Sequence, residues 1–338
     1  MGRTRWITVA VLMCLSNGAG AQAPMPALDE ALDAPTRAHV VNEYARRLTA
    51  QHVDPGRAKA VADNLRQRLN NGEYNDQTTA RLLAARVSRD VAAMHADRQT
   101  YLEYVPYDLG DERQRPPPPV QSADNFGLRK FETLGDNIGY LHISRFAPVD
   151  RVSANAAARF MSQAGDCAAL IIDLRDAGGD SEAMAALLSS YLLVDRRSYI
   201  FKDKQIHLHD QVDREGKVMA EYWTTADAPG RHFGGYKPLY LLVNERTSSA
   251  AEAFAYDLQQ YYQRAVIVGV PTMGDARVAA KQRVSRQLQT VIAATQAVNL
   301  STRGNWEGTG VQPNRVVAAA DALNAAIAMA QASLKPKR

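Results

Sequence analysis

Residues 246–254 read RTSSAAEAF and follow, after Glu245, on the apolar run PLYLLVN. Ser248 and Ser249 therefore stand where a buried strand gives way to a helix. Two roles are open to a serine there. Thr247 or Ser248 suits the N-cap, with the next serine in the first helical turn, and nothing more is required of either. Alternatively one serine is a nucleophile at the positive end of the helix, and the amide of Ala250 donates to a developing oxyanion. The second role needs a base, because an unassisted hydroxyl is a poor nucleophile.

A second strand-to-helix crossing, AALIIDLRDAGGDSEA, places Gly178-Gly179 after another apolar run. Glycines there permit positive φ and close approach of a ligand to the backbone, and free amides at a helix start hold negative charge. Structural turns use the same pattern, so this crossing by itself assigns no chemistry.

Together the two crossings resemble the tail-specific or C-terminal processing serine peptidases. Within them the nearest branch is that of the interphotoreceptor retinoid-binding protein repeats and the tricorn protease core. LIIDLRDAGG is similar to that branch's L-I-I-D-L-R-x-N-x-G-G, and RTSSAAEAF to its T-[AS]-S-A-[AS]-E. NWEGTGVQPNRVV (305–317) resembles its W-E-G-x-G-V-x-P-D, and FETLGDNIGYLHISRF its first core strands. NNGEYND and MHADRQTYLEY are similar to its N-terminal domain. The resemblance implies an α/β fold: a crotonase-like (ClpP/crotonase) ββα spiral core preceded by a small N-terminal helical bundle. It implies peptide-bond hydrolysis with Ser249 as nucleophile, an oxyanion hole from Gly178 or Gly179 with the amide of Ala250, and Glu307 orienting the charges of the site. Arg175 reads as a tie for the loop after its strand. Glu252 supports the helix start or partners that arginine.

The chain departs from the family where the base belongs. The processing-protease branch places a lysine downstream of the serine in a segment like T-F-G-K-G; here PTMGDARV has Asp275 at that position, and Lys281 lies further along. The retinoid-binding and tricorn branch supplies a histidine from D-x-H, and here ADRQT puts Gln99 in its place. A glutamine amide hydrogen-bonds but accepts no proton. Ala177 replaces the asparagine of the first motif, and Asn314 the aspartate of the last. His95, one helical turn before Gln99, is a solvent-facing or capping residue or a substitute base. Two functions follow: an exported serine peptidase whose base is unidentified, or an inactive homologue binding a peptide or apolar ligand in the same cleft.

Elsewhere the chemistry is sparse. His142 sits in a core strand and reads as structural. His207, His209 and His232 lie in a polar hairpin region; HLH has the strand spacing of a metal pair, but no carboxylate or cysteine set with ligand spacing accompanies it. No metal and no cofactor are expected. After the leader, Cys167 is the one cysteine left, so no internal disulfide forms.

The elements that must position these residues follow from the hydrophobic pattern. The chain has 338 residues, 46% hydrophobic and 22% charged, the balance of a globular protein with a sizeable core. MGRTRWITVAVLMCLSNGAGAQA has the basic start, short apolar core and small residues of a secretory signal peptide, with cleavage before Gln22, so the protein is expected to be periplasmic or secreted. The net charge of +4 falls mostly on that leader and on a short basic tail. Neither nucleic acid nor, after cleavage, a membrane surface is expected as partner; a polypeptide or peptide substrate is implied by the resemblance. The division reads as signal peptide 1–21, helical domain 26–106, Pro-rich linker 107–122 and peptidase-like α/β domain 123–334. RAHVVNEYARRLTAQHV carries Val40, Val41, Tyr44, Leu48 and His52 at helical spacing, Asp54-Pro55 starts a second helix, and QTTARLLAARVSRDVAAMHA is a third. Three short-linked helices predict a small bundle. Beyond the prolines, short apolar strands alternate with helices, which predicts strands covered on both faces.

Overall fold

The computed structural model describes residues 29–94, 97–114, 121–193 and 205–336. The leader with its cleavage site, Cys14, His95 and the four prolines Pro116–Pro119 lie outside the described residues, as does the start of the polar segment near 198. Among the described residues no helix is long and apolar enough to cross a membrane.

Three helices come first: α1 (Ala34–Gln51), α2 (Pro55–Asn70) and α3 (Ala80–Met94). Their starts are written locally. Asp33 accepts from the Thr36 amide at 2.8 Å and Asp54 from the Arg57 amide at 3.0 Å, each just before a proline in the first turn. Each cap contributes about 1 kcal/mol. Val40, Val41, Tyr44 and Leu48 are buried against Val61, Leu65, Leu83 and Val87.

The three helices of the expected bundle do not close on one another alone. The same apolar cluster includes Leu102 of β1 (Tyr101–Tyr104) and Leu288 and Ile292 of β10 (Leu288–Asn299). Alanine-rich stripes such as those of α2 and α3 bury too little to close on one another, so a strand face completes the core. The helices are thereby fixed to the rest of the molecule. Val53 N donates to Ala293 O at 2.9 Å, and β1 pairs antiparallel with β10.

The main body is a six-stranded sheet in the order β11-β8-β7-β4-β3-β2. Its strands are β2 (Leu128–Leu134), β3 (Ile138–Ile143), β4 (Ala169–Asp173), β7 (Leu239–Val243), β8 (Val266–Gly269) and β11 (Arg315–Val316). β2 and β3 form the predicted antiparallel pair around Gly135-Asp136-Asn137, and the other neighbours run parallel. Every residue of β4 and β7 is buried, and the period of two explains how. Leu170, Ile172, Leu239, Leu241 and Val243 face α4 (Arg151–Ala164), α5 (Glu182–Leu193) and α6 (Ala250–Gln260); Ala169, Ile171, Tyr240 and Leu242 face α7 (Ala322–Leu334). Each large side chain so buried contributes roughly 1.5–3 kcal/mol.

A second, antiparallel sheet runs β1-β10-β5-β6, with β9 (Arg277–Arg283) also paired to β10; β5 spans His207–Val212 and β6 Val218–Trp223. β10 is the shared element. It carries the helical layer on one side and leads β9 past the ends of β4 and β7.

Candidate active site

Hydrogen bonds lace the two crossings together. Thr247 Oγ1 donates to Leu174 O at 2.8 Å, Ser248 N to Ala177 O at 2.9 Å, Ala250 N to Gly179 O at 3.1 Å, and Asp176 N to Asn244 Oδ1 at 3.0 Å. Parallel pairing of β4 with β7 sets their C-terminal ends side by side, so the loops that follow have to meet. Gly178, Gly179, Ser249 and Ala250 are thus neighbours. A Cβ on Gly178 would stand 2.9 Å from Ser248 Oγ, and one on Gly179, at φ +106°, 2.5 Å from Phe146 O.

Ser249 is itself the N-cap residue of α6, one position later than the sequence pattern predicts. Its backbone sits at φ 51°, ψ −123°, a region that glycine tolerates and other residues enter at a cost of about 1–3 kcal/mol. Such a strained strand-to-helix turn lifts a serine hydroxyl clear of the backbone. What holds the strain is Glu252, fully buried in the first turn of α6. Its Oε2 accepts from Ser249 N at 3.1 Å and Asp275 N at 2.9 Å; its Oε1 accepts from Gly274 N at 2.7 Å and from the Thr272 hydroxyl. Burial pushes the Glu252 carboxyl up despite those donors. Of its two expected roles, Glu252 takes the helix-start one. Arg175 instead clamps Asp173 and the Ala319 carbonyl.

The Ser249 hydroxyl donates to Asp275 Oδ2 at 3.0 Å, and Gln99 Nε2 donates to the same oxygen at 2.8 Å. Asp275 is buried, and burial raises its carboxyl above the usual 3.8; the Gln99 and Ser249 hydrogen bonds oppose that rise and Asp97 adds to it. Asp97 holds the Gln99 turn, accepting from Gln99 N at 2.8 Å and Thr100 Oγ1 at 3.1 Å, and it meets His52 Nε2 at 3.1 Å and Arg277 at 3.0 Å. Glu307 does not reach Ser249. Its Oε2 accepts from Ala276 N at 2.9 Å and its Oε1 lies 3.5 Å from Arg277, so it steadies the backbone that carries Asp275. Burial raises its carboxyl as well.

A cavity of 470 Å³ opens over this group, lined by Ser249, Asp275, Gln99, Arg277, Tyr101 and Lys281 among others. Lys281 does face the site from β9. Its ammonium lies 3.2 Å from Glu103, which holds it protonated against the pull of burial and so unfit as a base. A larger cavity of 680 Å³, beside Tyr261 and Tyr262 at the starts of β7 and β8, contains no paired nucleophile and base.

The Ala250 amide, the expected oxyanion donor, is engaged here by the Gly179 carbonyl. The first amides of a helix lack intrahelical partners, and a carbonyl brought within reach takes one up. Gly178 N makes a long contact of 3.4 Å to Ser144 O, while Gly179 N meets no acceptor among the described residues. The histidines also separate. His142 is half-buried on β3; His232 Nε2 contacts Ala228 O. His209 is buried against Asp257 at 2.7 Å; burial opposes its charge, but Asp257 and Glu182 prevail and lift it to about 10.

Asp275 was legible only as a missing lysine, and nothing in its local sequence announces a bond to Ser249. Arg277 and His52, both on Asp97, carry no local signal either; His52 falls on the apolar face of α1 by period alone.

Residues 137–317, more than half of the chain, match the sequence profile of peptidase family S41. The chain belongs to that family. The fold is similar to that of a putative peptidase from Parabacteroides merdae ATCC 43184, at 18% identity and TM-score 0.59 over 87% of this chain and 96% of that one. A lipoprotein from Streptococcus agalactiae is similar at 13% identity and TM-score 0.58, over 91% of this chain and all of that one. The tricorn protease matches at 12% identity and TM-score 0.50 over 88% of this chain. The chain spans part of the larger proteases it matches, 37% of tricorn and 42% of the photosystem II D1 C-terminal processing protease. The predicted family and α/β fold class therefore hold, and with them serine-peptidase ancestry.

Proposed function

We propose that this S41 member is an exported, periplasmic or secreted serine peptidase that cleaves a polypeptide through Ser249 with Asp275 as general base. The observation that carries this reading is the pair of hydrogen bonds converging on Asp275 Oδ2 from Ser249 and Gln99. The Ser249 proton passes to that carboxylate as Oγ attacks the substrate carbonyl; the tetrahedral adduct collapses, the leaving amine takes the proton from Asp275, and a water repeats the sequence on the acyl-enzyme. A buried carboxyl with a raised pKa is a stronger base than an exposed one. Gln99 fixes which oxygen faces the serine. The oxyanion is received by the amides of Gly179 and Ala250 once the Gly179 carbonyl turns away, and substrate binding supplies the energy for that turn.

A second reading rests on the same contact. With Ala250 N engaged, the open cleft lacks that oxyanion donor and binds peptide without turnover. A fluorophosphonate probe separates the two. Labelling is expected in the wild type, absent in Ser249→Ala, and slowed about 10²–10⁴-fold in Asp275→Asn. Labelling that persists in Ser249→Ala, or none in any of the three, overturns the peptidase reading.

A further inference from the structure

The β5–β6 hairpin carries a side-chain cluster that the Ser249 site does not use. In regular antiparallel pairing His207 and His209 share a face and Asp210 points the other way. A bulge in β5 changes this. His207 pairs with Trp223, yet His209 pairs with Tyr222 and Asp210 with Glu221, which leaves Leu208 as the extra residue. Glu221 and Trp223 are two apart on β6 and share a face, so their partners Asp210 and His207 are brought onto that face together. His209 turns to the buried side instead. The sequence pair HLH is therefore split, and the carboxylates that sequence spacing lacks arrive from across the hairpin. Donor atoms of His207, Asp210 and Glu221 all lie within 4.8 Å of one another.

Asp210 and Glu221 are direct cross-strand partners, and like charges placed so destabilise a sheet. A cation between them removes that penalty. His207 is already aimed at the spot: Nε2 lies 2.7 Å from Asp210 Oδ1, and the ring is stacked flat on Trp223, centroids 3.9 Å apart at 12°. Glu221 is exposed and accepts from the Trp223 indole at 3.1 Å, so it is free to swing. We propose that His207, Asp210 and Glu221 bind a divalent transition-metal ion of the zinc type. One imidazole nitrogen with two carboxylate oxygens suits zinc, whereas calcium and magnesium prefer oxygen alone. Metal–ligand bonds of about 2.0–2.2 Å set tetrahedral donors about 3.4 Å apart, so the His207–Asp210 contact opens slightly and Glu221 closes in. Three protein ligands leave a position for water or an external donor. The bound ion ties β6, the edge strand of its sheet, to β5.

The site is independent of Ser249 chemistry. Its test is titration of the untagged exported chain with Zn²⁺, Ca²⁺ and Mg²⁺, read by calorimetry and by Trp223 emission. One zinc equivalent is expected, with altered emission as Glu221 leaves the indole. His207→Ala and the exposed, near-isosteric Glu221→Gln should each weaken zinc binding about tenfold or more, with circular dichroism unchanged. Undiminished zinc affinity in both variants, tighter binding of calcium or magnesium, or no zinc uptake by the folded wild type overturns the proposal.

Discussion

The two strand-to-helix crossings start from the same local design, an apolar parallel strand followed by a tight turn, and are stabilised differently. The turn after β7 is fixed from several sides. Ser249 is forced to φ 51°, and the Glu252 carboxylate gathers its amide together with three donors of the 272–275 loop. The turn after β4 is tied to its neighbours up to Gly178, but Gly179 itself is fixed by sterics. Gly179 has room for no side chain, and its carbonyl rests on the Ala250 amide. A nucleophile must hold one position throughout the reaction, whereas an oxyanion cradle needs its donors only when charge develops. The proposed mechanism thus asks the first turn to stay put and the second to rearrange once.

The largest test of that contrast is Glu252→Ala, which orphans four donors at once, two in buried and two in part-buried contacts. We expect a loss of about 2–6 kcal/mol in urea unfolding, since each of the two buried unmet donors costs about 1–3 kcal/mol. A loss below 1 kcal/mol would show that Ser249 is held by something else. Gly179→Ala comes next. A methyl 2.5 Å from the Phe146 carbonyl, at φ +106°, should cost about 2–3 kcal/mol. Gly178→Ala meets only the Ser248 hydroxyl, a side-chain atom that can rotate away, and should cost under about 1 kcal/mol. Equal losses at the two glycines contradict a turn fixed by sterics at 179.

The smallest effect is on pH dependence. Burial lifts Asp275 above 3.8, so the folded chain holds this proton more tightly than the unfolded one. The group's contribution is therefore most favourable at low pH and is lost as pH rises from about 3.8 through the raised value. The stability of Asp275→Asn relative to wild type should climb across that window, and the wild-type labelling rate should rise over the same interval. A difference that stays level would show a carboxylate ionising as freely as in water.

Much of this was readable in advance. The apolar runs of β4 and β7, the Asp-Pro helix starts and the Ser249 and Gly178-Gly179 turns are all set by contacts within a few residues, and each formed at or near its expected place. The helical layer was legible as helices but not as a layer on β10, because a stripe on one helix does not say which surface will cover it. Asp275 read as the absence of a lysine; its bond to Ser249 exists because Glu252 folds the 272–275 loop back over the helix start. HLH read as a pair, and one inserted residue in the strand separated it.

The sequence by itself determined where strands end and, to within a residue, where helices begin, since periodicity, caps and glycine sterics act over one or two turns of chain. Only the tertiary structure decided what the Ser249 hydroxyl faces, which carbonyl takes the Ala250 amide and which carboxylates meet His207. Ser249 and Asp275 are 26 positions apart, and the His207 cluster depends on a bulge in its hairpin; such distances are fixed by sheet register and loop closure, to which no short stretch of sequence has access.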